Sequence, residues 1–142
     1  MSAQEENNKA IIRRYWDGKW NVRQPAVLDE LMLPDVTHHG TSMEMHGIEE
    51  YRQAYASYLR AFHDSEAVVE DLVAEGDKVA SRVRLSAVHK GELASIPATG
   101  KTITVRMFTM FRLAQGKIAE EWEIFDELGV MQQLGAIPEH SE

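Results

Sequence analysis

Apolar positions recur every three or four residues through the first half of the chain and every two residues through the second. In "NNKAIIRRYWDGKW", Ile11, Ile12, Tyr15 and Trp16 fall at helical spacing, which predicts a first helix ending between Gly18 and Trp20. In "RQPAVLDELML", Pro25 suits a first helical turn, and Val27, Leu28, Leu31 and Met32 form the stripe of a short second helix. "PDVTHHGTSMEMHG" reads as a short strand and a loop. Over residues 48–62, Ile48, Tyr51, Tyr55, Tyr58, Leu59 and Phe62 share a broad face, and a third helix is expected there.

From Ser65 the period is two, and "EGDK" and "AQGK" mark tight turns between strands. In "KVASRVRLSAVHK", Val79, Val83, Leu85, Ala87 and His89 have one parity, so His89 shares the apolar face. "KTITVRMFTMFRLA" is apolar on both faces: Ile103, Val105, Met107, Phe111 and Leu113 oppose Phe108 and Met110. A sheet covered twice is implied, by helices on one face and by a second copy of the chain on the other, through an isologous homodimer. Arg106 and Arg112 interrupt this strand; Arg112 is expected in solvent and Arg106 paired with Glu121 or Glu123. Residues 117–126 form the last strand, with Ile118, Trp122, Ile124 and Asp126 on one parity and Glu121, Glu123 and Phe125 on the other. An acid at 126 on the apolar side either caps the following helix, "ELGVMQQL", or does chemistry. Helices followed by strands give an α+β class, with three N-terminal helices packed on one sheet.

A chain of 142 residues fits one domain, 1–142, with a core that needs no staple. With 15 Lys+Arg against 23 Asp+Glu, the net charge of −8 argues against nucleic acid, whose phosphates call for a basic surface. The chain has no cysteine, which excludes disulfides, thiol nucleophiles and cysteine-based metal sites. No hydrophobic leader or membrane-length apolar run is present, and a soluble cytoplasmic protein is expected. "HHGTSMEMH" gathers His38, His39, Glu44 and His46, yet without the i, i+4 spacing of a helical zinc site, so no metal is assigned.

Three helices followed by a curved antiparallel sheet resemble the nuclear-transport-factor-2-like cone, an α+β barrel. Within that fold, "AFHDSEAVVEDLVAEGDKVASRVRLSAVHKG", "IPATGKTITVRMFTMFRLAQGKIAEEWEIFD" and "QLG" resemble the SnoaL-like polyketide cyclase branch, over about residues 8–135. The resemblance implies intramolecular aldol chemistry on a polyketide ester, without metal or cofactor. It places the family's acid/base aspartate, shortly before "QLG", on Asp126. Burial beside Trp122 and Ile124 would raise the pKa of such an acid toward neutrality.

The same resemblance offers His39 as a pocket histidine, with His38 in its place if the register is off by one. It also offers His89, before a glycine on a long strand. His38 and His39 equally fit a loop or surface position, and His89 fits a satisfied core or rim position better than a ligand-binding one. An apolar, incompletely filled cone suits an aromatic or apolar small molecule. Trp20, in the "W/F-N" that ends the family's first helix, and Trp122 are the expected lining residues, with Tyr51, Tyr55 and Met107 beside them. The alternatives are a binding protein that holds an apolar metabolite without turnover, a hydrolase, isomerase or dehydratase using the same parts, and a dimerisation module with a filled interior.

Overall fold

A computed structural model describes residues 1–138. Helix α1 spans Ala3–Trp16 and opens with a capping box, in which Ser2 and Glu5 satisfy each other's backbone N–H groups. Glu5 also accepts from Gly76 N at 2.8 Å, fastening the helix start to a strand turn. The helix runs into a π-helical turn, Asp17–Asn21, and then the short α2, Ala26–Leu31. Strands β1 (Met32–His39) and β2 (Glu44–His46) precede α3, Ile48–Ala61. Four longer strands follow: β3 (Phe62–Glu75), β4 (Lys78–His89), β5 (Thr102–Ala114) and β6 (Lys117–Phe125). Helix α4, Glu127–Leu134, closes the described chain and ends on Gly135 in the left-handed conformation.

The six strands form one curved sheet in the order β2-β1-β6-β5-β4-β3. It is open rather than a closed barrel, and β1 joins β6 in parallel within an otherwise antiparallel sheet. Helices α1, α3 and α4 pack on the concave face. The parities of β4 and β5 are as expected: Val79, Val83, Leu85, Ala87 and His89 are buried, as are Ile103, Val105, Met107, Phe111 and Leu113. Tyr15, Trp16 and Phe111 meet edge to face beneath α1, with ring centroids 5.1 to 6.2 Å apart.

Strand β6 departs from simple alternation. Leu113 pairs with Ile118 and Arg112 with Glu120, so Ala119 is an extra, bulged residue with no partner on β5. Ile118 faces the core before the bulge, and Glu121 faces it after. Trp122 and Ile124 therefore lie on the convex face, beside Phe108 and Met110, and all four are exposed. Their expected place on the interior side with Ile118 is corrected by this bulge. Arg106 also lies on the convex face and pairs with Glu70, at 3.0 Å, instead of an acid of β6; Arg112 pairs with Glu120 at 3.2 Å. Among the described residues no helix is long and apolar enough to cross a membrane.

Candidate active site

The parallel register of β1 and β6 sorts the two adjacent histidines. His38 lies opposite Glu121, and His39 opposite Trp122. Consecutive side chains on a strand point to opposite faces, so the first pair enters the interior and the second leaves it. Inside, His38 Nδ1 and Glu121 Oε1 are 2.5 Å apart, with 6 % and 1 % of the side-chain surfaces exposed. Outside, the His39 ring stacks on Trp122 at 5.5 Å and bonds Glu44 and Glu120 at 2.9 and 2.7 Å. Those two bonds, the one from Glu44 first, hold the His39 pKa above its usual value.

Two residues along β6, Glu123 also points inward. Its side chain keeps 12 % of its surface exposed, and Oε2 is 3.8 Å from His38 Nε2. Thr109 Oγ1 donates to its other oxygen at 3.3 Å. Burial pushes the Glu123 carboxyl pKa up, and the positive potentials of Lys19 and His38 oppose that rise without cancelling it. Glu121 Oε2 is buried with no hydrogen-bond partner among the described residues, a cost seldom carried by a side chain that only packs.

Lys19 completes the inner group. The π-helical turn sets it on the same stripe as Tyr15 and Trp16, where it is buried. Its Nζ donates to Tyr51 Oη at 2.6 Å and Tyr15 Oη at 2.9 Å, and those hydroxyls bond each other. Tyr55 Oη donates to the Lys19 carbonyl at 2.6 Å, fixing the turn from α3. Burial lowers the Lys19 pKa, while Glu123 and Glu121 pull it back up. Burial likewise drives the Tyr15 and Tyr51 phenols well above their usual range, assisted by the carboxylates.

These groups stand at the junction of two adjoining chambers. The smaller, about 50 Å³, is polar at its base, where His38, Tyr51, Tyr55, Lys19 and Glu123 meet. The larger, about 280 Å³, is walled by apolar side chains including Leu85, Ile103, Val105, Met107, Val130 and Met131. Lys19, Tyr58, Glu123 and Phe125 line both. An apolar chamber ending in a few convergent polar groups is the usual form of a small-molecule site, and this one lies near the lower end of the usual size range. Among the described residues no three His, Cys, Asp or Glu side chains converge as metal ligands would.

Of the residues expected in the pocket, Trp20 and Met107 line the large chamber, and Tyr51 and Tyr55 the small one. Trp122 and His39 are outside it, on the convex face. His89 is fully buried behind the wall, where Nδ1 accepts from Thr99 N at 3.2 Å and the ring packs on Phe62. Asp126 is exposed and caps α4, accepting from Gly129 N at 2.9 Å. It borders a depression of the convex side with Phe108 and Ile124 and lines neither chamber. The bulge at Ala119 explains the exchange, because it turns Glu121 and Glu123 inward and leaves the chain past Phe125 at the rim. Sequence reasoning passed over Lys19, although a charged residue four positions after Tyr15 and flanked by Trp16 and Trp20 was a visible anomaly on an apolar stripe.

The family model for SnoaL-like polyketide cyclases matches residues 10–134. Aklanonic acid methyl ester cyclase DauD of Streptomyces sp. (strain C5) is 28 % identical over 137 residues, covering 95 % of this chain and 83 % of its own. Nogalonic acid methyl ester cyclase of Streptomyces nogalater is 30 % identical over 113 residues, covering 76 % and 83 %. A crystal structure from Jannaschia sp. CCS1, described as SnoaL-like, superposes with a TM-score of 0.89 at 29 % identity, covering 97 % of this chain and 98 % of that one.

Proposed function

The chain belongs to the SnoaL-like polyketide cyclase family, and from that premise we propose that it closes a ring in a polyketide methyl ester by cofactor-independent aldol chemistry, with Glu123 in place of Asp126 as the acid/base. The observation that carries this is the position of Glu123: nearly buried, raised in pKa, and placed where the polar and apolar chambers meet. In its ionised form Glu123 removes the proton α to a carbonyl. The enolate carbon attacks a second carbonyl of the same molecule, forming one C–C bond and an alkoxide. Glu123 then returns its proton to that alkoxide, so the step is balanced without any co-reactant. His38, tethered by Glu121, faces the Glu123 oxygen and fixes the direction of its lone pairs. The apolar wall keeps water from the enolate.

The relatives named above support this ligand class, and the apolar large chamber favours a flat aromatic body with the reacting carbonyls at the polar end. We also propose that the convex face, where Phe108 pairs with Ile124 and Met110 with Trp122 across β5 and β6, joins two copies of the chain.

Incubation with aklanonic acid methyl ester, with product separated by chromatography, tests the reaction. Wild type is expected to cyclise it, Glu123→Gln to lose about 100-fold or more in kcat/KM, and Asp126→Asn to stay within about threefold. Loss of turnover in a folded Asp126→Asn variant, with Glu123→Gln active, would return the role to Asp126. Tight binding of the ester without turnover would favour the metabolite-binding alternative.

A further inference from the structure

We propose that Lys19 is the oxyanion-stabilising residue of this cavity, its ammonium group oriented by Tyr15 and Tyr51 and donating its remaining N–H to the anionic oxygen of a bound enolate or phenolate. The inference deepens the acid–base reading above and rests on it for the reaction, but it also makes a binding claim that can be tested without turnover.

An ammonium group has three donors. Two are taken, by Tyr15 Oη and Tyr51 Oη at 2.9 and 2.6 Å, and no third acceptor is present among the described residues. Because Lys19 lines both chambers, a ligand oxygen can supply that acceptor. Buried lysines are ordinarily paired with a carboxylate. Among the described residues Lys19 is not within ion-pair distance of one: the acids nearby, Glu121 and Glu123, are engaged instead with His38.

The cation has a different support. Five aromatic rings, those of Tyr15, Trp16, Trp20, Tyr51 and Tyr55, surround Nζ with centroids 4.9 to 6.0 Å away. Such a cage favours positive charge by the ring quadrupoles while supplying no counter-anion. A caged ammonium with one free donor is matched by an anion that forms only during the reaction. The backbone is adapted to the same end, since π-helical turns are rare and concentrate at functional sites, and this one carries Lys19. Glu123 lines the same two chambers, so proton removal and stabilisation of the resulting negative charge act on one ligand. In a site closed to water such a donor contributes strongly, and removing one costs on the order of 100-fold in rate.

The test uses 4-nitrophenol, whose bound protonation state is read directly from its absorption band, with wild type, Glu123→Gln and Lys19→Met. The titratable groups that face Lys19 or share its chambers are Tyr15, Tyr51, Tyr55, Tyr58, Glu121, Glu123, Glu127 and His38. Wild type is expected to hold the phenolate, with an apparent ionisation at least ~1 pH unit below that in Lys19→Met, equivalent to a tenfold preference. Glu123→Gln is expected to keep the phenolate band, which separates this proposal from the cyclase reading. With aklanonic acid methyl ester, Lys19→Met should lower kcat about 100-fold and leave KM nearly unchanged. Equal phenolate preference in wild type and Lys19→Met, or a wild type that binds only the neutral phenol, overturns the proposal. Should Lys19→Met not fold, the lysine 15Nζ resonance of wild type decides: a hydrogen-bonded shift of the Lys19 signal on adding nitrophenolate supports the contact, and an unmoved signal refutes it.

Discussion

His38 and Glu121 meet at 2.5 Å across the parallel seam of β1 and β6, and hardly any of either side chain reaches solvent. The seam thus does two jobs: it closes the polar end of the sheet and sets the imidazole against Glu123. Since both partners are desolvated, their value lies in being present together.

Removing one partner should therefore cost more than removing both. Glu121→Ala is expected to destabilise the fold by roughly 3 kcal/mol in urea titration, because it strands a buried imidazole. The double replacement His38→Leu with Glu121→Met should cost less than the single one. A double variant as unstable as the sum of its parts would show that the two side chains are not coupled.

Glu123 should make the protein less stable as it ionises. Its folded pKa lies above the ordinary 4.5, so between those two values the folded state holds more proton than the unfolded state, and stability falls as pH rises through the window. Above the window the penalty is complete; below 4.5 it is absent. Glu123→Gln is accordingly expected to melt higher than wild type at neutral pH, with the difference shrinking on acidification. Wild-type kcat/KM should rise with pH across the same window, because the base must be ionised. A difference in melting that grows on acidification would contradict the raised pKa.

Asp126 makes a separable contribution to stability. Asp126→Ala should lose about 1 kcal/mol through the missing cap of α4, whereas Asp126→Asn, another good cap, should be nearly neutral. Chemical denaturation of the two variants checks the cap, and turnover by Asp126→Asn checks a site role, which predicts that this variant is inactive.

The convex face gives a prediction about assembly. Phe108→Glu or Ile124→Glu introduces a charge into the exposed apolar cross-strand pair and is expected to convert a dimer to a monomer in sedimentation equilibrium. A wild type that sediments as a monomer would reject the pairing of copies.

Much of the architecture was readable because local periodicity and tertiary burial agreed. Ile12, Tyr15 and Trp16 mark the buried face of α1, and alternation along β4 and β5 runs unbroken from Val79 to His89 and from Ile103 to Leu113. Met107 follows from the same rule. The reading failed at β6 for a specific reason: a bulge leaves no compositional trace when the extra residue is an alanine between an isoleucine and a glutamate. Extending parity across it exchanged the faces of Trp122 and Glu121 and put Ile124 in place of Glu123 on the interior side. The choice between His38 and His39 depended on register with partners 83 residues later, information that no local window contains. Lys19 escaped because a lysine near a helix end ordinarily reaches solvent, and only the aromatic residues closing over it show otherwise.

Ala119 separates two properties of β6, the direction in which its acids point and the bend of the strand that carries them. Ile118 and Glu121 would still alternate correctly if this one codon were deleted, so both acids would keep their face. The strand, however, would lose the bend and added twist that an unpaired residue imparts, and would press flatter against β5. The curvature of the strand is thereby set by a residue that lines neither chamber, while the two acids keep their direction.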